Sequence, residues 1–279
     1  MRLLLGALGC ALPLLAAAAA QRVVTLAPHL AELVCAAGAC DRLVGVSVYS
    51  DYPPRVTRLP QVSDAASVNL EAVLALRPDL VLAWDGGTPS ETVERLCGLG
   101  LRVEMLRVRG LDDVAAALER TGTLLGTEAA AHAAAQSYRQ RLQGLRARWH
   151  GARPIRAVYQ IETAPAYTVN RDSPISEAMS LCGGVNVFAG LPTLAAPVSA
   201  EAMLAARPEV VIFGGEENAA GIRTYWQRLS GAPAARLDNL YPVDANLLAR
   251  AAPRVLDGVE QVCTVLDHAR LRRDGHEPP

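Results

Sequence analysis

Lysine is absent from this 279-residue chain, so its 27 fixed positive charges are all arginine. With the surplus of alanine, this reads as the signature of a GC-rich genome and not of a function. The net charge is −1, which removes any electrostatic case for nucleic acid or for an anionic membrane surface as partner. Large aromatics are scarce, with two phenylalanines and three tryptophans. No CxxC pair exists, so neither a zinc site nor any other metal site is expected. Also missing are GxSxG, HExxH, a Walker loop and a GxGxxG after the first strand. The five histidines are scattered. All but His29 fall on a long helix, at its end or near the C-terminus, where surface positions are the default. No acid and base stand at a catalytic spacing, so an enzyme is not expected and no catalytic residue is assigned.

What is present begins with a targeting segment. Met1-Arg2 is positive, Leu3 to Leu15 is apolar, and small residues lead to an Ala-x-Ala site at Ala18 and Ala20. Residues 1–20 read as a signal peptide cleaved before Gln21, which places the protein in the periplasm. Cys10, after Leu8-Gly9, offers a second, lipoprotein-like site. No later stretch is long and apolar enough to span a bilayer. Cys35, Cys40, Cys97, Cys182 and Cys263 remain after cleavage, an odd number that leaves at least one thiol free. Cys97 is expected to be buried. Cys35 and Cys40 do not face each other on one helix; a bridge needs a helix end between them, which Gly38 can supply.

With 51% apolar residues the chain can bury a substantial core. Strands and helices alternate: Arg22–Leu26, His29–Ala37, Arg42–Val48, Leu70–Leu76, Asp79–Trp84, Ser90–Leu99 and Arg102–Leu106. That order implies a parallel sheet covered on both faces. The proline-free segment from Leu111 to Trp149 is interrupted at Gly122 and Gly126, and from Thr127 it reads as one helix of about six turns. Alternation then resumes with Ile155–Ile161, Pro174–Cys182, Glu209–Phe213 and a final helix near Pro253–His268, followed by a polar tail from Leu271 expected to be disordered. NLEAVLALRPDLVL (Asn69 to Leu82) matches SAEAMLAARPEVVI (Ser199 to Ile212), and each copy runs into Gly-Gly (Gly86-Gly87, Gly214-Gly215). The separation far exceeds a solenoid repeat. The reading is therefore an α/β protein of two Rossmann-like lobes, 21–126 and 151–270, joined by a single helix, 127–150, with a ligand cleft between them. One helical connection also resists wide hinge closure.

Candidate cleft residues follow the strands. Tyr49 opens YSDYPP, Trp84 precedes Asp85-Gly86-Gly87, and Tyr167 follows the first strand of the second lobe. Such aromatics can stack on a large flat ligand, or they can simply pack: Tyr52 against its prolines, Trp84 over the core. Glu71 and Glu201 begin equivalent helices, where a carboxylate suits the helix dipole and can serve as a cap. The alternative is a pair of acidic knobs for a two-fold membrane partner with arginine pockets.

VSVYSDYPP (Val46 to Pro54), QVS (Gln61 to Ser63), NLEAVLALRPDLVLAWDGG (Asn69 to Gly87), LCGGVNVF (Leu181 to Phe188) and VSAEAMLAARPEVVI (Val198 to Ile212) resemble the periplasmic cobalamin (vitamin B12)-binding proteins of bacterial ABC importers. The resemblance spans about Arg22 to Asp267. It implies a monomer that captures cobalamin as cargo, needs no cofactor and docks on a membrane permease. It implies corrin contacts at Tyr49, Trp84 and Tyr167, with Asn246 and Arg250 in a binding segment. It also implies docking by Glu71 and Glu201 and a Cys182–Cys263 disulfide. The chain departs from the family pattern at Ala65 or Ala66, at Ala195 and along Asn246 to Arg250, where aromatic residues or an aspartate can stand. The pocket is therefore less aromatic. Haem or a ferric siderophore is the alternative cargo. Haem would take an axial ligand from Tyr49 or His29; an anionic siderophore would need arginines such as Arg107, Arg109 and Arg171.

Overall fold

In the computed structural model, which describes residues 19–64 and 67–276, the first β-branched run becomes β1 (Val23–Thr25), buried at every position. The chain continues through α1 (Pro28–Ala36), β2 (Leu43–Ser47), β3 (Gln61–Ser63), α2 (Leu70–Ala75), β4 (Leu80–Trp84), α3 (Ser90–Gly98), β5 (Val103–Leu106) and α4 (Asp113–Leu125). The five strands form one parallel sheet in the order β3-β2-β1-β4-β5. The leader through residue 18 with Cys10, the Ala65-Ala66 pair, and residues 277–279 lie outside the described residues.

Helix α5 (Glu128–Trp149) leads to the second lobe. It buries Ala131, Ala135, Tyr138, Leu142 and Leu145 at alternating spacings of four and three, the stripe of a helix packed along one side. Beyond it come β6 (Ile155–Thr163), β7 (Ala166–Val169), α6 (Pro174–Leu181), β8 (Gly184–Asn186), β9 (Ala195–Val198), α7 (Ala200–Ala206), β10 (Val210–Gly214), α8 (Ala219–Gln227), α9 (Pro233–Arg236), β11 (Leu240–Val243), α10 (Ala245–Ala249) and α11 (Val255–Arg273). The sheet runs β11-β10-β6-β7-β9, with β8 also on β6. It is parallel where β10 meets β6 and β11, but β7 is antiparallel to both β6 and β9, so the second lobe is mixed. The last helix continues to Arg273, past Leu271 where a disordered tail was expected. Arg270 explains this: it is buried, and it donates to the carbonyls of Arg153 and Cys182, tying the helix end to the lobe.

The duplicated segment folds alike in both lobes. Asn69 caps α2 by accepting from the Ala72 N–H at 3.0 Å, and Ser199 caps α7 by accepting from the Ala202 N–H at 3.2 Å. At the far end each helix closes on an arginine in the left-handed region, Arg77 at φ 44° and Arg207 at φ 45°. A second arginine clamps each turn. Arg22 donates to the carbonyls of Leu76 and Arg77 (2.7 and 3.2 Å), and Arg156 to those of Ala206 and Arg207 (2.6 and 3.4 Å). The acid of each Arg-Pro-acid triplet, Asp79 or Glu209, accepts from the backbone N–H of that clamping arginine.

Three apolar clusters complete the packing. One covers the outer face of each sheet, and the third is continuous from α1 and α4 through α5 to α6 and α11. The lobes thus share a core as well as a strut. The buried Cys182–Cys263 disulfide lies in that core, closing a sequence separation of 81 residues, a constraint worth about 4 kcal/mol by chain entropy. Cys35 and Cys40 are also bonded, across the end of α1, where Gly38 at φ 84° makes the turn. Cys97 is a free thiol, exposed and not buried as expected. It neighbours the fully buried Leu96 on α3, and adjacent helical residues face different ways.

Candidate functional site

The carboxyl ends of the strands build the site, where open α/β sheets usually bind ligands. In the first lobe the chain leaving β1, β2 and β4 lines a hollow with Leu26, Pro28, Val48, Tyr49, Val68 and Trp84 among its walls. In the second lobe the chain leaving β10 and β11 lines another with Gly215, Glu216, Glu217, Asp244, Asn246 and Gln261. One half is apolar and aromatic, the other polar and acidic.

Tyr49 and Trp84 both face the first hollow. Tyr49 is 77% exposed and sits at φ 62°, a left-handed conformation rare for a bulky residue and a frequent mark of functional sites. Its carbonyl accepts from the Arg250 guanidinium at 2.9 Å, which holds the turn. Trp84 is 37% exposed. Its indole lies across the Gly86-Gly87 turn, so closely that a Cβ on Gly87 would stand 1.9 Å from the ring. The Gly-Gly signature is therefore the seat of the tryptophan. On the other side His29 meets the indole edge-on, with centroids 5.2 Å apart. His29 is buried, and its Nε2 has no hydrogen-bond partner among the described residues. Burial, with the nearby Arg250 guanidinium, lowers its pKa to about 4 and keeps the imidazole neutral.

Arg250, expected in a binding segment, also ties the lobes together. It is buried, and its terminal nitrogens donate to Glu32 of α1, to both carboxylate oxygens of Asp51, to the Tyr49 carbonyl and to Asn246 Oδ1. Arg254, four residues on, donates to both oxygens of Glu32 at 2.9 and 2.8 Å and lies 3.8 Å over the Tyr52 ring. The hydrogen bond from Arg250 and the two nearby guanidinium charges hold the Asp51 carboxyl below its ordinary pKa, against a smaller opposing effect of burial. On the opposite flank Glu177 of α6 accepts from the Leu111 N–H at 2.8 Å, and Arg146 grips Asp112 through two bonds. The cleft is pinned on both sides.

Other expected residues fall differently. Asn246 lines the second hollow. Tyr167 is half-buried on β7 opposite Glu162 and Pro197 and lines neither hollow. Arg107 pairs with Asp85, Arg171 donates to the Ala189 carbonyl, and none of Arg107, Arg109 and Arg171 lines either hollow. Glu71 and Glu201 are exposed and are not the caps, since Asn69 and Ser199 fill that role. No group of three or more potential metal-binding side chains occurs among the described residues. Glu32, Arg254 and His29's support of Trp84 were missed. The available signal was Glu32 itself, the one acid of a helix that is apolar but for His29.

The family model described as periplasmic binding protein matches residues 23–247. The chain belongs to this family. This family member is 38% identical over 251 residues to the vitamin B12-binding protein of Vibrio cholerae serotype O1, covering 90% of this chain and 91% of that protein. The crystal structure of the periplasmic vitamin B12-binding protein of Vibrio cholerae superposes with a TM-score of 0.84 at 38% identity, over 90% of this chain and 98% of that one. A periplasmic haem-binding protein from Pseudomonas aeruginosa superposes with a TM-score of 0.78 at 28% identity, over 88% and 92%.

Proposed function

We propose that this periplasmic binding protein captures cobalamin or a related corrinoid and delivers it to an ABC importer in the inner membrane. One observation carries the reading: an apolar hollow walled by Tyr49 and Trp84 and a polar hollow carrying Asn246, Gln261 and Asp244 lie at the strand ends of the two lobes, linked by Arg250, which bonds both the Tyr49 carbonyl and Asn246. A corrinoid has a flat macrocycle for the first and a rim of carboxamides for the second. The likeness to vitamin B12-binding proteins points the same way. In this reading Tyr49, Trp84 and Tyr167 contact the corrin, Asn246 bonds its rim, and Arg250 stands in the binding segment, where it holds the Tyr49 turn and Asn246 in place. Glu71 and Glu201 dock on arginines of the permease. The leader directs export and is cleaved before Gln21, and two disulfides suit an oxidising compartment.

Haem is the second reading, favoured by the exposed Tyr49 phenol, which is a possible axial ligand. His29 is sealed behind Trp84 and does not serve that reading without displacement of the indole. Absorption spectra of the purified protein after incubation with cobalamin and, separately, with haem distinguish the two. A stoichiometric red corrinoid complex is expected; a haem complex with no corrinoid complex would reverse the assignment. In calorimetry, Trp84→Ala and Tyr49→Ala should each weaken cobalamin roughly ten- to a hundredfold through lost stacking and buried area. Unchanged affinity in both would remove the pocket assignment.

A further inference from the structure

The two copies of the duplicated segment agree in more than backbone. From Glu71 and from Glu201 the alternation of exposed, half-buried and buried positions is the same through eight residues. Val73 and Met203 point into the core at 0% exposure. Three residues beyond each glutamate stands a leucine turned outward, Leu74 at 38% and Leu204 at 40% exposure. Residues i and i+3 share a helix face, so each leucine lies beside its glutamate. A single exposed leucine needs no explanation. The same leucine held outward at the same register in two lobes does, because neighbouring positions have drifted: Val73 against Met203, and Leu76 against Ala206. Neither glutamate is ion-paired among the described residues. The Glu201 carboxyl is held below its ordinary pKa by its own backbone N–H and the Ser199 hydroxyl, so it stays charged.

We propose that Glu71 with Leu74 and Glu201 with Leu204 form two equivalent docking feet, and that the permease presents to each an arginine beside an apolar shelf. The proposal rests on the docking reading above and extends it. A two-fold-symmetric partner offers the same patch twice, and a chain with duplicated lobes can answer both. The carboxylates supply charge complementarity, which steers and orients. The leucines supply apolar burial, which salt does not screen.

The test uses the mature, cobalamin-loaded protein and the cognate permease–ATPase complex in lipid nanodiscs, with Kd measured at low and high salt. Leu74→Gln/Leu204→Gln should raise Kd roughly ten- to thirtyfold at both salt concentrations. Each single variant should give about half of that effect on a logarithmic scale. Glu71→Gln/Glu201→Gln should weaken binding mainly at low salt. Cobalamin affinity and urea midpoint should be unchanged in the leucine variants. Leu74→Ala/Leu204→Ala gives a second measure that adds no buried polar group. If the glutamate variant loses docking while both leucine variants bind like wild type, the proposal is overturned and the docking reading stands. If the glutamate variant also binds like wild type, the docking reading itself fails. A self-association of the chain that the leucine variants abolish would assign the patches to a second copy and overturn the proposal as well.

Discussion

Replacing Glu32 by alanine is expected to lower the unfolding free energy by about 3–5 kcal/mol, the usual penalty for leaving a buried charge without its partner. Glu32 is 3% exposed, and two guanidinium groups from the other lobe, Arg250 and Arg254, converge on it. Removing it leaves the buried Arg250 with Asp51 as its remaining carboxylate among the described residues, and that side chain is half open to water. The pair has another consequence. Arg250 also holds the carbonyl of Tyr49, so the strained turn that turns the phenol outward loses its anchor when the cluster reorganises. Cobalamin binding should therefore weaken in Glu32→Ala even under conditions where the variant is fully folded. Urea denaturation gives the first quantity and calorimetry at a temperature well below the transition gives the second. Replacing Glu32, Arg250 and Arg254 together by methionine should recover much of the stability, since no charge is then left buried, without restoring the Tyr49 turn. A Glu32→Ala variant within 1 kcal/mol of wild type would mean that water solvates this cluster and that it does not pin the lobes.

Much of this architecture was legible because the chain repeats itself. Asn69 to Leu82 and Ser199 to Ile212 announced two lobes, and the matching clamps of Arg22 and Arg156 are what that likeness encodes. The long helix was legible from composition, and Tyr49 and Trp84 from their positions at strand ends. Other elements gave weak signals. Strands β9 and β11 contain Pro197 and Pro242, residues that argue against a strand, and both lie at an edge of the sheet where a missing N–H is tolerated. Helix α8 carries Gly221 inside it. The role of Arg250 was not legible at all. Its partners Glu32 and Asp51 stand 218 and 199 residues away, and no local pattern reports a contact at that range. The glutamates were legible as a pair, but the identity of the residues that cap their helices was not. Asn69 and Ser199 fill that role.

Between pH 7 and 4.5 the protein is expected to lose about 2–3 kcal/mol of stability through His29 alone. In the unfolded chain this imidazole takes up a proton near its ordinary pKa of 6.5, but in the folded protein only near 4, because burial and then Arg250 oppose the cation. Across that interval the unfolded state binds more protons, so stability falls as pH drops from 6.5 toward 4 and is fully present above 6.5. The carboxylates of Asp51, Asp112, Glu119 and Asp274, all held below their ordinary pKa, give up their own contributions lower on the scale, from the usual carboxylate range downward. The upper interval therefore belongs to the buried imidazole. His29→Leu should flatten it, since an apolar side chain of similar size fills the space behind Trp84 and titrates nothing. Urea midpoints at pH 7, 6, 5 and 4.5 for the two proteins decide the matter. Parallel slopes would show that His29 is protonated in place without penalty, and that the indole does not seal it from water. A flat variant beside a falling wild type would instead tie the stability of the cleft's aromatic wall to a neutral imidazole, and tryptophan emission should then shift in the wild type over the same interval.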